Sequence, residues 1–214
     1  MKIVKKIKIT EIKQQKRNKN RYTIKFNDGS FLGVSENKIV SYDLFKDKEI
    51  STSQKNSLVE SESYQKVKNS ALNLLSYRMR SEKELVSRLS FKGYNEIDIN
   101  GVISELSEYG YINDFDFGVA FSKDKIRISR IGPIVLRSKL KEHISSDDLL
   151  SEIIDQMYTE ETIVSLLKIL INKRKKTIID NNSINKLIQY LIRKGFLYDD
   201  IKSVIEMENI SCDF

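Results

Sequence analysis

Apolar positions follow two rhythms along this chain. Over the first fifty residues they alternate with polar ones: Ile3, Ile7 and Ile9 are interspersed with lysines, and Arg21–Phe26 and Ser30–Val34 flank Asn27-Asp28-Gly29. Period-two alternation predicts strands, and Asp-Gly between two such runs predicts a hairpin, because glycine tolerates the positive φ of a tight turn. From Ser35 the spacing becomes helical for about two turns. Ser51–Ser63, rich in Ser, Gln and Glu, reads as a connection or a polar helix start, so a boundary is expected near residue 60.

Beyond that boundary the period is helical throughout. Val67, Ala71, Leu74 and Leu75 share one face. Ser81-Glu82-Lys83-Glu84 predicts a capping box, with the Ser81 hydroxyl taking an early backbone N–H and Glu84 reaching back. Leu85 and Leu89 follow, and Gly93 ends that helix in the left-handed conformation. Asn95 is expected to cap the next helix, burying Ile99, Val102, Ile103 and Leu106 and ending at Gly110. Asp114 is expected to cap another, with Phe117, Ala120 and Phe121 on its inner face. Gly132-Pro133 separates that helix from its successor, since proline suits a first helical turn. Further helices are predicted from about Ser146, Thr159, Ser183 and Asp199.

These helices repeat. Leu89-Ser90-Phe91-Lys92-Gly93-Tyr94 followed by Ile99 and Ile103 matches Leu191-Ile192-Arg193-Lys194-Gly195-Phe196 followed by Ile201 and Ile205. Midway, Leu140-Lys141-Glu142-His143-Ile144 with Leu149 and Ile153 fits the same frame with one residue deleted at the turn. A period of about fifty with three helices per unit predicts a solenoid-like array. The expected fold is mostly α: three tandem three-helix, helix-turn-helix-like repeats in an elongated array, after a small β-rich N-terminal module. The expected bounds are 1–60 for that module and 61–114, 115–160 and 161–214 for the repeats.

Charge adds a second layer. The net charge is +7 over 214 residues, but residues 1–26 carry ten Lys or Arg against Glu11 alone. The rest of the chain is therefore slightly acidic. Within it, Lys123 to Lys141 holds seven basic residues and only Asp124, whereas Glu142 to Glu161 holds seven acidic residues and no basic one. A further basic cluster sits at Lys168 and Lys173–Lys176. Such blocks steer polyanions to one face and acidic protein surfaces to another, although each can also be an ordinary solvated face. No apolar run approaches the roughly 20 residues of a membrane span. The N-terminus lacks the unbroken apolar core of a secretory signal, and the lone Cys212 has no partner for a disulfide. A cytoplasmic protein with no membrane association is expected.

Catalytic chemistry is hard to find. The single histidine, His143, is expected at a helix end in a packing or solvent-facing role. No Cys/His set has metal-ligand spacing, and the Asp-Gly and Gly-Pro pairs are turns rather than phosphate loops. Asp147-Asp148 and Asp199-Asp200 sit at predicted helix starts, where the helix dipole accounts for them. The expectation is no enzyme, no metal and no cofactor.

The helical part resembles a known family. Ala71-Leu72-Asn73-Leu74-Leu75-Ser76-Tyr77-Arg78-Met79-Arg80-Ser81-Glu82-Lys83-Glu84-Leu85 resembles the opening of the first repeat of the RecX family, with its Arg-x-Arg-Ser-x-x-Glu-Leu core. Lys92-Gly93-Tyr94 is similar to the family's Lys-Gly-aromatic turn. Gly110-Tyr111-Ile112-Asn113-Asp114 with Phe117-Gly118 is similar to its Gly-Tyr-Leu-Asp-Asp…Phe-Ala signature, and Gly132-Pro133 falls where the family opens its next helix. Asn113 stands for the usual Asp and Gly118 for Ala. His143 replaces the Lys-Gly turn of the second repeat, which leaves the exit angle there open.

The resemblance implies a regulator that binds filaments of the RecA recombinase on single-stranded DNA and inhibits ATP hydrolysis and strand exchange. It would thereby temper recombination, DNA repair and the SOS response. Non-specific contact with single- or double-stranded DNA and a monomeric state are expected. The DNA-facing charge is expected from Lys123, Lys125, Arg127, Arg130, Arg137, Lys139 and Lys141, with Lys173, Arg174, Lys175 and Lys176. The rival reading is a protein acting on DNA directly through helix-turn-helix-like units; a third is a scaffold whose charge is incidental.

Overall fold

The computed structural model describes residues 6–174 and 180–208. Ile3, Lys175, Lys176 and Cys212 lie outside the described residues. Two compact units emerge. One is the chain up to Asn73 together with Gly93–Val102; the other is Leu74–Lys92 together with the chain from Ile103 onward.

The first unit is built on four antiparallel strands, β1 (Lys6–Gln14), β2 (Arg21–Phe26), β3 (Phe31–Ser35) and β4 (Glu49–Ser51), in the order β3-β2-β1-β4. A short helix, α1 (Glu36–Ser41), follows β3. The β2–β3 hairpin closes at Asp28-Gly29, where Gly29 takes φ +83° and Phe26 N–H donates to the Ser30 carbonyl at 2.9 Å. Alternation works as expected: Ile7, Ile9, Ile24, Phe26 and Val34 turn to one apolar core with Leu44, Ile50 and Leu58.

The expected boundary at residue 60 falls inside a continuous helix, α2 (Thr52–Tyr77). Ser51 and Gln54 start this helix with a reciprocal cap: Ser51 Oγ accepts from Gln54 N–H at 3.1 Å, and Gln54 Oε1 accepts from Ser51 N–H at 2.8 Å. Leu58 and Glu62, one helical turn apart, are both buried. The Glu62 carboxylate accepts from Arg21 at 2.9 Å and from Ser35 N–H at 3.1 Å. Lys55 donates to Asp28 at 2.6 Å and lies 4.6 Å from the Phe26 ring centre. The first turns of α2 thus belong to the sheet. Several N-terminal cations find carboxylates within this unit, Lys6 on Glu49, Lys8 on Asp47 and Lys25 on Glu11.

The remaining helices are α3 (Glu82–Phe91), α4 (Glu96–Glu108), α5 (Asp114–Ser129), α6 (Pro133–Lys141), α7 (Asp147–Met157), α8 (Glu160–Asn172), α9 (Asn181–Arg193) and α10 (Tyr198–Met207). Together with α2 they form groups of three, giving the mostly α, three-helix-repeat fold with a β-rich N-terminal module. Caps behave largely as their residue types dictate: Ser146, Thr159 and Asp180 each accept the expected backbone N–H of α7, α8 and α9. Gly93, Gly110 and Gly195 all have positive φ. One apolar core runs from Phe117 through Leu136, Leu140, Leu150 and Ile153 to Leu167, Leu187, Leu191, Phe196 and Ile201, so the second and third groups share it.

Three local expectations need correction. Ser81 does cap α3 by accepting Glu84 N–H at 3.2 Å, but Glu84 does not reach back, because arginines hold its carboxylate. Asn113, not Asp114, caps α5, taking the N–H groups of Phe115 and Asp116. Asp114 instead accepts Glu82 N–H at 2.8 Å; burial raises its carboxyl above the usual range, partly offset by that bond. Ala120 is exposed; Phe117 and Phe121 do face the core, and Gly118 and Ser122 join them on the inner face of α5.

Candidate nucleic-acid interface

The basic run of α5 stands on an aromatic base. The Phe117 and Phe121 rings stack with centres 6.0 Å apart, and His143 packs against both at 5.4 and 5.0 Å, which gives the histidine a packing role. One turn further along, Lys125 places its ammonium 5.0 Å from the Phe121 ring centre. Lys123 is exposed, and Arg127 pairs at 3.0 Å with the equally exposed Asp124. An exposed pair three residues apart contributes little to stability and is easily exchanged for another anion.

Arg130 ends α5 in the left-handed conformation, φ +47° and ψ +52°. Such a position favours glycine, so an arginine here must be held by its surroundings. It is. Lys194 donates to the Ser129 carbonyl at 2.8 Å, on one side of Arg130. On the other side, the buried Tyr158 hydroxyl donates to the Ile131 carbonyl at 2.5 Å; burial raises that phenol well above its ordinary pKa. Gly132 N–H donates to the Lys194 carbonyl at 2.7 Å and Ile134 N–H to the Gly195 carbonyl at 3.1 Å.

The same turn draws the two basic runs together. The Arg174 guanidinium carbon lies over the Tyr190 ring, 3.9 Å from its centre, and the Lys194 ammonium lies 5.8 Å from that centre. Arg174 and Lys194 therefore converge on one tyrosine from the ends of α8 and α9, and the bond from Lys194 to Ser129 brings the end of α5, with Arg130, alongside them. Lys173 is exposed at the C-cap of α8. In the sequence Lys194 belongs to a Lys-Gly-aromatic turn; the signal that points to its second role is the four-residue spacing from Tyr190, which puts both on one helix face.

The α6 cations are differently placed. Arg137 donates to Ser151 Oγ at 3.0 Å and pairs with Asp147 at 3.2 Å, and Lys141 pairs with the same carboxylate at 3.1 Å. Hydrogen bonding from Lys141 is the main reason the Asp147 carboxyl sits below its usual range. The start of the acidic block thus turns onto the basic run instead of facing elsewhere. Lys139, two residues from each, lies off that face. Likewise Lys168 meets Glu208 at 3.4 Å.

No described helix is long and apolar enough to cross a membrane. Two family profiles match this chain: the regulatory protein RecX N-terminal domain over residues 7–51, and the RecX first three-helix domain over residues 68–106. The regulatory protein RecX of Bacillus velezensis is 31% identical over 207 residues, covering 96% of this chain and 79% of the relative. This chain belongs to the RecX family. The regulatory protein RecX of Clostridium tetani is 30% identical and is covered to 93% of its own length. Among solved structures, the crystal structure of a regulatory protein RecX superposes with a TM-score of 0.75 at 25% identity, covering 96% of this chain and all of that one. RecX from Lactobacillus salivarius superposes with a TM-score of 0.62 at 29% identity, covering 71% of this chain and 99% of that one. The chain is thus a RecX-type regulatory protein, and the N-terminal match falls on the β-rich module.

Proposed function

We propose that this protein is a negative modulator of the RecA recombinase that binds RecA filaments on single-stranded DNA and slows ATP hydrolysis and strand exchange. The observation that carries this reading is the near full-length match to regulatory RecX proteins. The gathering of Arg174 and Lys194 at Tyr190, with Arg130 alongside, supplies a place where the DNA backbone would be met. Such a regulator needs no active site. Several three-helix units, taken as 61–114, 115–160 and 161–214, each make a modest contact, and linkage within one chain turns these into strong overall binding.

Lys123, Lys125, Arg127, Arg130, Lys173 and Arg174 are the DNA-facing residues in this reading, joined by Lys194; Lys139, Lys175 and Lys176 belong to the same proposed set. Arg137 and Lys141 contribute less, because a phosphate would have to displace Asp147 from them. The test is RecA's steady-state ATPase on single-stranded DNA, with this protein titrated in. Turnover is expected to fall to a plateau, and unchanged turnover at saturation would overturn the proposal. Reversing Lys123, Lys125 and Arg127 to Glu should weaken filament binding and flatten its dependence on salt, by about 0.7 in slope for each single-strand phosphate no longer neutralised. Wild-type affinity and slope in that variant would move the DNA-facing surface elsewhere.

A further inference from the structure

Three guanidinium groups meet one carboxylate at the start of α3. Glu84 Oε1 accepts from Arg78 Nη2 at 2.6 Å, from Arg88 Nε at 2.8 Å and also from Arg80 Nη1. Arg80 is nearly buried and donates its Nε–H to the Leu74 carbonyl, so its role is to tie the end of α2 to α3. Arg78 and Arg88 are each half exposed. Burial alone would raise the Glu84 carboxyl, but hydrogen bonds from Arg88 and Arg78 outweigh it and keep the group below its usual range. One negative charge therefore fixes three positive ones, and a surplus of two remains at the surface.

This is an expensive way to begin a helix. A single arginine would neutralise Glu84, and each added cation repels the others. The arrangement gains sense if an outside anion supplies the missing charge. Arg88 reaches Glu84 through Nε, an orientation that presents its two terminal nitrogens as a fork for a phosphate.

Beside this fork stands an unusual side chain. Phe91 lies three residues after Arg88 on the same face of α3 and is 93% exposed, the most exposed of the large apolar side chains described. From Arg78 to Lys92 the chain carries five cations, Arg78, Arg80, Lys83, Arg88 and Lys92, against Glu82 and Glu84. A bare aromatic ring amid surplus positive charge matches a ligand with anionic groups and flat apolar faces at adjacent positions. Single-stranded nucleic acid has both; an acidic peptide would leave the ring in water, and a duplex hides its base faces.

We propose that Arg78 and Arg88, held in place by Glu84, together with Phe91 form a contact site for single-stranded nucleic acid, with a phosphate on the guanidinium pair and a neighbouring base stacked on the ring. The site rests on the nucleic-acid reading above but uses none of the residues assigned there. The experiment measures fluorescence anisotropy of the full chain, without RecA, on a labelled oligothymidylate and on an abasic oligomer of equal length. Phe91→Ala should weaken oligothymidylate binding by about five- to tenfold, leave the abasic oligomer unaffected and leave the melting temperature unchanged, since only base stacking is removed. Arg88→Gln should weaken binding to both oligomers and lower the salt slope by about 0.7, the single-strand value for one phosphate.

A wild-type ratio of the two affinities in Phe91→Ala would overturn the proposal. So would a change in self-association, read by sedimentation, with unchanged oligomer binding, because the ring would then serve a protein contact. Arg130→Gly in the same assay separates the two readings: if it alone weakens binding, the interface around Tyr190 stands and this site falls. If the wild-type protein binds neither oligomer, both fall.

Discussion

Lys92-Gly93-Tyr94 and Lys194-Gly195-Phe196 are the same turn in sequence and have the same backbone, with φ +80° and +94° at the two glycines. Their surroundings differ. A Cβ placed on Gly93 would meet nothing within 4 Å, whereas one on Gly195 would lie 2.6 Å from the backbone nitrogen of Val135 and 2.8 Å from its Cγ2. Gly132 answers from the other side, where a Cβ would run into the Gly195 carbonyl group. At the first turn glycine only permits a backbone conformation. At the second it also lets two turns touch, and that close approach carries the hydrogen bonds that brace Arg130.

The comparison breaks most clearly at Gly195. Gly195→Ala combines a left-handed alanine with a collision against backbone that cannot swing aside, so its loss of stability should reach about 4 kcal/mol or more in denaturant unfolding. Gly132→Ala isolates the collision, because Gly132 has an ordinary φ of −86°; a loss of about 3 kcal/mol is expected. Gly93→Ala isolates the conformational cost, about 1 kcal/mol, and Gly93→Val should cost more because a β-branched residue fits positive φ worst. Equal losses at Gly93 and Gly195 would mean the close approach carries no weight. The smallest expected change in stability is at Arg130→Gly, between none and a gain of about 1 kcal/mol as the left-handed strain is relieved. Its binding to DNA should nevertheless weaken. A variant that folds as well or better yet binds less is the signature of a residue kept for binding rather than for the fold.

Much of the fold was legible because its signals are local. Ser81, Ser146 and Thr159 cap helices by hydrogen bonds that reach only three residues ahead, and Asp28-Gly29 closes a hairpin within its own turn. Ser51 and Gln54 carried an equally local signal for the start of α2, masked by the polar composition around them. The continuity of α2 across residue 60 was hidden for a different reason. Leu58 and Glu62 look like part of a polar segment until Arg21 and Ser35, distant in sequence, give the buried Glu62 its partners.

The sequence by itself determined the β-rich module, the three-helix periodicity and the positive-φ turns, since each depends on residue types a few positions apart. Only the tertiary structure decided how the charges pair. Arg137 and Lys141 meet Asp147, while Arg174 and Lys194 gather at Tyr190 and the Lys194 bond to Ser129 holds Arg130 beside them. Long cationic side chains take their partners from whatever the packing brings near, and periodicity along the chain holds no record of that. The two glycine turns obey the same division: the chain dictates their φ, and packing alone brings Val135 and Gly132 against one of them.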